Sequence, residues 1–518
     1  MSGMTKLLCG CAVATVAAAA AGALKTEKKI AQVQVDVDFG RETGRVKPLH
    51  GVNNAPLRMG EPKAGKPGKI WEFEEAGIPY MRTHDTAGPW GGTHFVDVPN
   101  IFPDFDADEN DPANYDFTVT DAFLMSVVTA GTEIYYRLGV TFEMYHRVKT
   151  YTIDPPKDYA KWARICEHIV RHYNEGWADG FHWNIKYWEI WNEPENPPMW
   201  SGTKEQFFEL YRVVANHLKG RFPEIKVGGF GGCGFYIVDD PSLRNNKYHQ
   251  SILDWFETFC KFVTDEKTKA PLDFFSWHEY IETTPHRIAV HADFVRRKLD
   301  EAGLKRTESH FNEWNYVGRG WTDLKFMMTA KGAACMSETM CLLQRSPVDM
   351  AMYYDATPTR KYCGLFDMHE SDQRTPTYFA FKLFNEVYKL GSCVESSACG
   401  ADFGVVASRG ADGRKAVLMV NNSGEPRRVK LSFKGAEKEI MELRLLDETH
   451  SSEEVFMRGA FEEFTLQPYM LALLETPGIY MKPASRVAEM IMFAGQDEAG
   501  FAERARGREV KRQEVKGR

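Results

Sequence analysis

Eight short apolar runs, each followed by a longer segment of helical spacing, fill the chain between Lys47 and Leu390. Few architectures accommodate that alternation. The runs are 48–53, 78–84, 133–139, 185–193, 225–230, 272–278, 309–313 and 348–355. Between them apolar residues recur three and four positions apart, as in Trp162, Ile165, Cys166, Ile169 and Val170, or in Phe207, Leu210, Tyr211 and Val214. Eight strand–helix units over about 345 residues predict a (β/α)8 barrel, class α/β, spanning 46–390. A doubly wound sheet shares the alternation but usually has fewer strands. A barrel also predicts where the chemistry lies, because reactive side chains gather at the C-terminal ends of the strands.

From about Cys393 the pattern shortens to alternating strands at 405–408, 416–420, 428–433, 439–445 and 469–474. Turn signals separate them, among them Asp412-Gly413, Asn422-Ser423-Gly424 and Lys434-Gly435. A C-terminal antiparallel β-sandwich is expected over 393–476, with 31–39 adding a strand through Val33, Val35 and Val37. At 518 residues the chain has room for both domains.

Residues 1–23 carry Lys6, an apolar run and the small residues Ala21, Gly22 and Ala23, which describes a secretory signal peptide and a secreted or periplasmic protein. Without such a leader the location would be cytoplasmic. The run is too short and too alanine-rich to span a bilayer, and no later segment qualifies, so no membrane span is expected. Residues 480–518 read as a solvated or helical tail. Lys and Arg number 64 against 72 Asp and Glu, for a net charge of −8, which argues against a nucleic-acid partner. Ten cysteines include no C-x-x-C pair, so neither a zinc ribbon nor a dithiol redox site is indicated. Cys335 with Cys341, or Cys393 with Cys399, could pair in an exported protein; buried thiols account for them equally well. Homo-oligomerisation is left open.

Two motifs fail on context. Gly229, Gly231 and Gly234 satisfy G-x-G-x-x-G, but no helix opens after them, as a dinucleotide site requires. Asp104, Asp106 and Asp108 begin like a calcium loop, yet Glu109 and Tyr115 stand where glycine and the bidentate acid belong.

Two strand ends carry more weight. Tyr187-Trp188-Glu189-Ile190-Trp191-Asn192-Glu193-Pro194 is an aromatic strand halted by proline, leaving Glu193 at the rim of the fourth strand. Period-two alternation places Glu189, Trp191 and Glu193 on one face. His310-Phe311-Asn312-Glu313-Trp314 ends the seventh strand in the same style. In a barrel these ends meet across the mouth, in a cleft lined by Trp191, Trp314 and Tyr280. Glycoside hydrolysis needs such a pair, one carboxyl to protonate the departing oxygen and one to attack or stabilise the anomeric carbon.

The pair Trp191-Asn192-Glu193-Pro194 and Asn312-Glu313-Trp314 resembles clan A of the glycoside hydrolases. The segments 46–54, 80–85 and 114–117 narrow the resemblance to family 39, which includes β-xylosidases and α-L-iduronidases. The resemblance implies Glu193 as acid/base, Glu313 as nucleophile and Asn192 as a partner of the sugar 2-hydroxyl, with His278 and Tyr280 near the nucleophile. His50, His84 and Arg82, read as ending the first two strands, are candidates for substrate hydroxyls or for buried structural bonds. Asp355 stands where the clan commonly has a tryptophan-rich strand end, and Arg137 in the third strand could lie in the barrel interior; both bear on which sugar fits. A carbohydrate substrate is expected, with a β-xyloside leading, and no metal or organic cofactor. An iduronidase-like enzyme, which needs basic groups in the pocket, and a catalytically silent sugar-binding barrel are the competing readings.

Overall fold

The computed structural model describes residues 30–55, 70–86, 95–141, 152–197, 199–281, 284–316, 324–357, 362–367, 373–400 and 402–478. The leader expected over 1–23 and the tail over 480–518 lie outside them. Strand β1 is Ala31–Arg45. The barrel strands are β2 (Gly51–Asn53), β3 (Tyr80–Arg82), β4 (Glu133–Leu138), β5 (Tyr187–Ile190), β6 (Lys226–Gly232), β7 (Phe274–Tyr280), β8 (Glu308–Asn315) and β9 (Met350–Tyr353). They form a closed barrel in chain order, with β2 paired in parallel to both β3 and β9. All eight apolar runs of the sequence lie on these strands.

The helices between them follow their sequence signals. Lys204–Arg221 opens on a capping box, in which the Thr203 side chain accepts from Gln206 N and Gln206 reaches back to Thr203 N. It buries Phe207, Leu210, Tyr211, Val214 and Leu218 against the barrel. Asp158 caps Tyr159–Asn174 through Lys161 N at 3.0 Å, and Trp162, Ile165, Cys166, Ile169 and Val170 turn inward.

Beyond the barrel come β10 (Ser392–Ala398), β11 (Phe403–Arg409), β12 (Lys415–Asn421), β13 (Arg427–Lys434), β14 (Met441–Leu446), β15 (Met457–Gly459), β16 (Glu463–Leu466) and β17 (Leu471–Glu475). Hydrogen bonds join them with β1 into one nine-stranded sheet, ordered β15-β14-β17-β12-β11-β10-β1-β13-β16. The expected wholly antiparallel arrangement holds except at β1. That strand pairs antiparallel with β10 and parallel with β13, because it arrives from the start of the chain and no hairpin constrains its direction.

Successive side chains on the central strands serve two cores. Leu418, Val420, Leu471 and Leu473 join the main core, whereas Val417, Met419, Ala472 and Leu474 build the sheet's own. Burial on both sides explains why these strands are continuously apolar. Helices Ala330–Arg345 and Pro376–Tyr388 fill the space between barrel and sheet. Cys335, Cys341, Cys393 and Cys399 are all free thiols. No helix among the described residues is long and apolar enough to cross a membrane.

Candidate active site

Arg82, the last residue of β3, organises the barrel mouth. It is fully buried, and its guanidinium donates from Nε to Glu189 at 2.6 Å, from Nη1 to Asn53 and Glu313 at 3.0 Å each, and from Nη2 to Asn192 at 2.6 Å. Glu189 also accepts from Asn312 Nδ2 at 2.7 Å. One fork therefore fixes four groups on or just beyond three other strands at once.

The backbone beyond β5 then leaves regular strand geometry. Trp191 and Glu193 adopt φ values of 72° and 42°, left-handed conformations that cost non-glycine residues of order 1–3 kcal/mol each. Trp191 N donates to Leu138 O at 2.7 Å, and Glu193 N donates to Phe230 O and Gly231 O at 3.0 Å, which holds the kink. Strict alternation fails here. Asn192 and Glu193 both reach the site, and Trp191 turns outward.

Glu193 and Glu313 converge on His278. Glu193 Oε1 lies 2.7 Å from His278 Nδ1, and its Oε2 accepts from Asn196 at 3.1 Å. Tyr280 Oη donates to Glu313 Oε1 at 3.0 Å. One oxygen of each glutamate and a His278 nitrogen all lie within 4.8 Å of one another. His84 Nε2 stands 3.6 Å from Glu313 and from Asp85. A Cβ on Gly231 would lie 3.0 Å from the His278 ring and 3.1 Å from Arg82, at φ 61°, so glycine is required beneath the site. The glycine pattern that resembled a dinucleotide loop thus serves close packing under His278.

Burial pushes up both carboxyls. At Glu193 the hydrogen bond and charge of His278 overcome it, leaving that group below its ordinary range. At Glu313 burial, reinforced by the Glu193 charge, outweighs His278 and Arg82 and leaves the group above. Groups this close share their protons as a cluster. Burial holds His84 well below the usual histidine range despite Asp85 beside it, so the ring is neutral. Glu193, His278 and Glu313 have the donor types of a metal site, but the Arg82 guanidinium against Glu313 opposes a cation there.

The structure brings Glu193, Glu313, Asn192, His278, Tyr280, Arg82 and His84 together. Asp355 is buried at the rim of β9, where its Oδ1 accepts from Thr357 N at 3.3 Å. Two expected residues lie elsewhere. His50 precedes β2 rather than ending it, at the opposite end of the barrel. It packs on Phe384 and Tyr388, and burial drives its pKa down to about 3. Trp314 alternates to the face away from Glu313 and packs on Phe311 and Tyr353 in the barrel–helix layer. Trp191, against Trp162 and Trp200, is likewise buried in the core. Among the described residues, the tyrosine rings beside the site are Tyr280, Tyr354 and Tyr362.

The sequence placed Glu189 on the face of Glu193 but assigned no role to it, nor to Asn53, Asp85 or Tyr354. Tyr354 donates to Asp85 at 2.8 Å, and Asp85 has φ 54°. A charged residue inside an apolar strand was the available signal for Glu189.

The model of glycosyl hydrolases family 39 matches residues 71–469. A β-xylosidase of Geobacillus stearothermophilus is 30% identical over 138 residues, which cover 26% of this chain and 23% of that protein. A β-xylosidase of Caldicellulosiruptor saccharolyticus is 24% identical over 319 residues, 55% of this chain and 59% of the relative. These alignments span about a quarter and three fifths of the relatives' own lengths. Among solved structures, a glucosidase from Croceicoccus marinus superposes with a TM-score of 0.66 at 22% identity, covering 86% of this chain and 99% of that one, which shows the shared fold. With the match extending over most of the chain, through barrel and sheet alike, the protein belongs to glycosyl hydrolase family 39.

Proposed function

We propose that the chain is a retaining exo-glycosidase acting on β-xylosides, with Glu313 as nucleophile and Glu193 as acid/base. The observation that carries this reading is the separation of the two carboxylates. One oxygen of each lies within 4.8 Å of the other, which suits the ~5–5.5 Å spacing of retaining enzymes better than the ~6.5–9.5 Å at which inversion seats a water between the carboxyls.

Glu313 is aligned by Arg82 and Tyr280, two donors that favour its ionised form as the sugar enters. Its oxygen attacks C1 while the C1–O bond to the leaving group breaks, and Glu193 delivers a proton to that oxygen. Glu193 Oε1, 2.7 Å from His278 Nδ1, is held in place for that transfer. Water then enters, Glu193 removes its proton, and the oxygen attacks C1 to release Glu313 and the sugar. The β-xylosidases among the relatives support xylose as the first choice.

The α-L-iduronidase-like reading loses support from the buried cations. Arg82 is committed to Glu189 and Glu313, and Arg137 holds Asp97 at 2.7 Å, so each is already neutralised by acid. A panel of chromogenic xylosides, arabinosides, glucosides, galactosides, fucosides and uronides tests the substrate. A fluorinated inactivator of the preferred sugar should label Glu313; labelling of another residue overturns the role assignment.

A further inference from the structure

Away from the catalytic mouth, three chain segments bring metal-binding side chains to the junction of barrel and sheet. His286 caps helix Arg287–Glu301, Glu338 lies in helix Ala330–Arg345, and Asp402 stands just ahead of β11. One donor atom of each lies within 4.8 Å of the other two. His286 Nε2 is 3.5 Å from Glu338 Oε1 and 4.0 Å from Asp402 Oδ1.

Those separations are too long for charge-assisted hydrogen bonds, which close to ~2.7–2.9 Å. Several histidine–carboxylate pairs in the chain do close, at 2.7 Å for His217 with Glu167, 2.7 Å for His278 with Glu193 and 3.0 Å for His172 with Asp121, and the pairs that stay open, such as His84 at 3.6 Å from Asp85 and Glu313, lie in the catalytic cluster. The gap round His286 instead approaches the ~3.3 Å between ligands of a tetrahedral ion with bonds of ~2.0–2.2 Å.

Glu338 gives a second indication. Its side chain is 2% exposed, Oε2 is held by Asn422 Nδ2 at 2.7 Å, and Oε1 is turned toward His286 with no hydrogen bond of normal length. A carboxylate buried this deeply calls for a counter-charge. Asp402 is set by its backbone, with φ 57° and its carbonyl accepting from Asn422 N at 2.9 Å. Asn422 therefore positions both acids.

We propose that His286, Glu338 and Asp402 form a binding site for a divalent transition-metal ion of the zinc class, with water completing the shell, that ties the barrel to the sheet. One imidazole with two carboxylates and no thiolate suits Zn2+ over soft cations and over Ca2+. The ion would neutralise the two acids and link three segments far apart in sequence, so its effect is on stability and not on turnover.

The test is Zn2+ competition against a chromogenic chelator on the metal-stripped full-length protein, with thermal melts alongside. Wild type should take up one equivalent with low-micromolar affinity and melt at higher temperature with the ion. His286→Ala and Asp402→Asn change half-exposed side chains that leave the fold intact. Each should weaken binding at least tenfold and abolish the thermal gain, with turnover unchanged. Failure to bind Zn2+ at tens of micromolar overturns the site, as does wild-type affinity in both variants. So does affinity that survives in these variants but disappears in Glu313→Gln, which would move the ion to the catalytic cluster.

Discussion

The two ends of the barrel interior are built from the same strands and behave oppositely. At the N-terminal end Tyr80, Tyr135, Tyr187, Phe274, Met350 and Met352 form an apolar plug. Two residues further along, on the same strand faces, stand Arg82, Arg137, Glu189 and Asn312. Tyr80 gives way to Arg82, Tyr135 to Arg137, Tyr187 to Glu189 and His310 to Asn312, each step keeping the side chain on the same face. The plug gains from burial and packing. The upper layer buries ionised groups whose desolvation roughly offsets their attraction, and it survives because every charge has a close partner. Stability is concentrated at one end, and the orientation of reactive groups at the other.

Substitutions should separate the two ends. The largest effect falls on Glu313→Ala, expected to lower kcat by roughly 10^4-fold or more with stability nearly unchanged, since the nucleophile has no substitute nearby. Glu193→Gln should cost ~10^2–10^4-fold on substrates whose leaving group needs a proton, and far less on activated aryl glycosides. Near-normal turnover of either variant contradicts the reading of the mouth.

Next come Arg82 and Tyr187. Arg82→Met strands the buried Glu189 and should cost about 3–5 kcal/mol of stability along with activity. Arg82→Met combined with Glu189→Met should recover much of that stability and none of the activity, in chemical denaturation and kinetics respectively. Tyr187→Ala should cost about 3–5 kcal/mol while the folded fraction keeps its kcat. Equal loss of kcat from both ends would erase the distinction drawn between them.

Much of this layout was legible in the sequence. The eight runs gave the barrel because apolar periodicity reports burial directly, and the two Asn-Glu pairs fell near strand ends, one where proline stops the ladder and the other, at Glu313, two residues short of the end of β8. The tryptophans did not follow. Alternation holds only while the strand is regular; Trp191 lies past the last paired residue in a left-handed conformation, and Trp314 is one step from Glu313 and so faces the helices. His50 misled because β2 begins one residue later, which moves the ring to the barrel's other end. The Arg82 network was not readable, since a lone charge within a strand does not name its partners.

Smaller effects refine the picture. Tyr280→Phe removes one hydrogen bond to Glu313 and should lower kcat about tenfold, as expected for a loss of roughly 1.4 kcal/mol. Glu195 is buried, and burial, followed by the charge of Glu193, raises its pKa to about 8. The folded state thus holds its proton above the unfolded value. Its ionisation costs nothing below pH 4.5, weakens the fold progressively as pH rises and is at full effect above about 8. Glu195→Gln should therefore raise the melting temperature at pH 8.5 relative to wild type and bring little gain at pH 4; a gain of the same size at both would show that the charge is not the cause.

The central claim is that the carboxylates at the mouth stand close enough for a covalent intermediate. Proton NMR during hydrolysis of an aryl β-xyloside reads this directly. The account predicts that β-xylose accumulates first and mutarotates afterward, whereas first release of α-xylose would mean that water, and not Glu313, attacks the sugar.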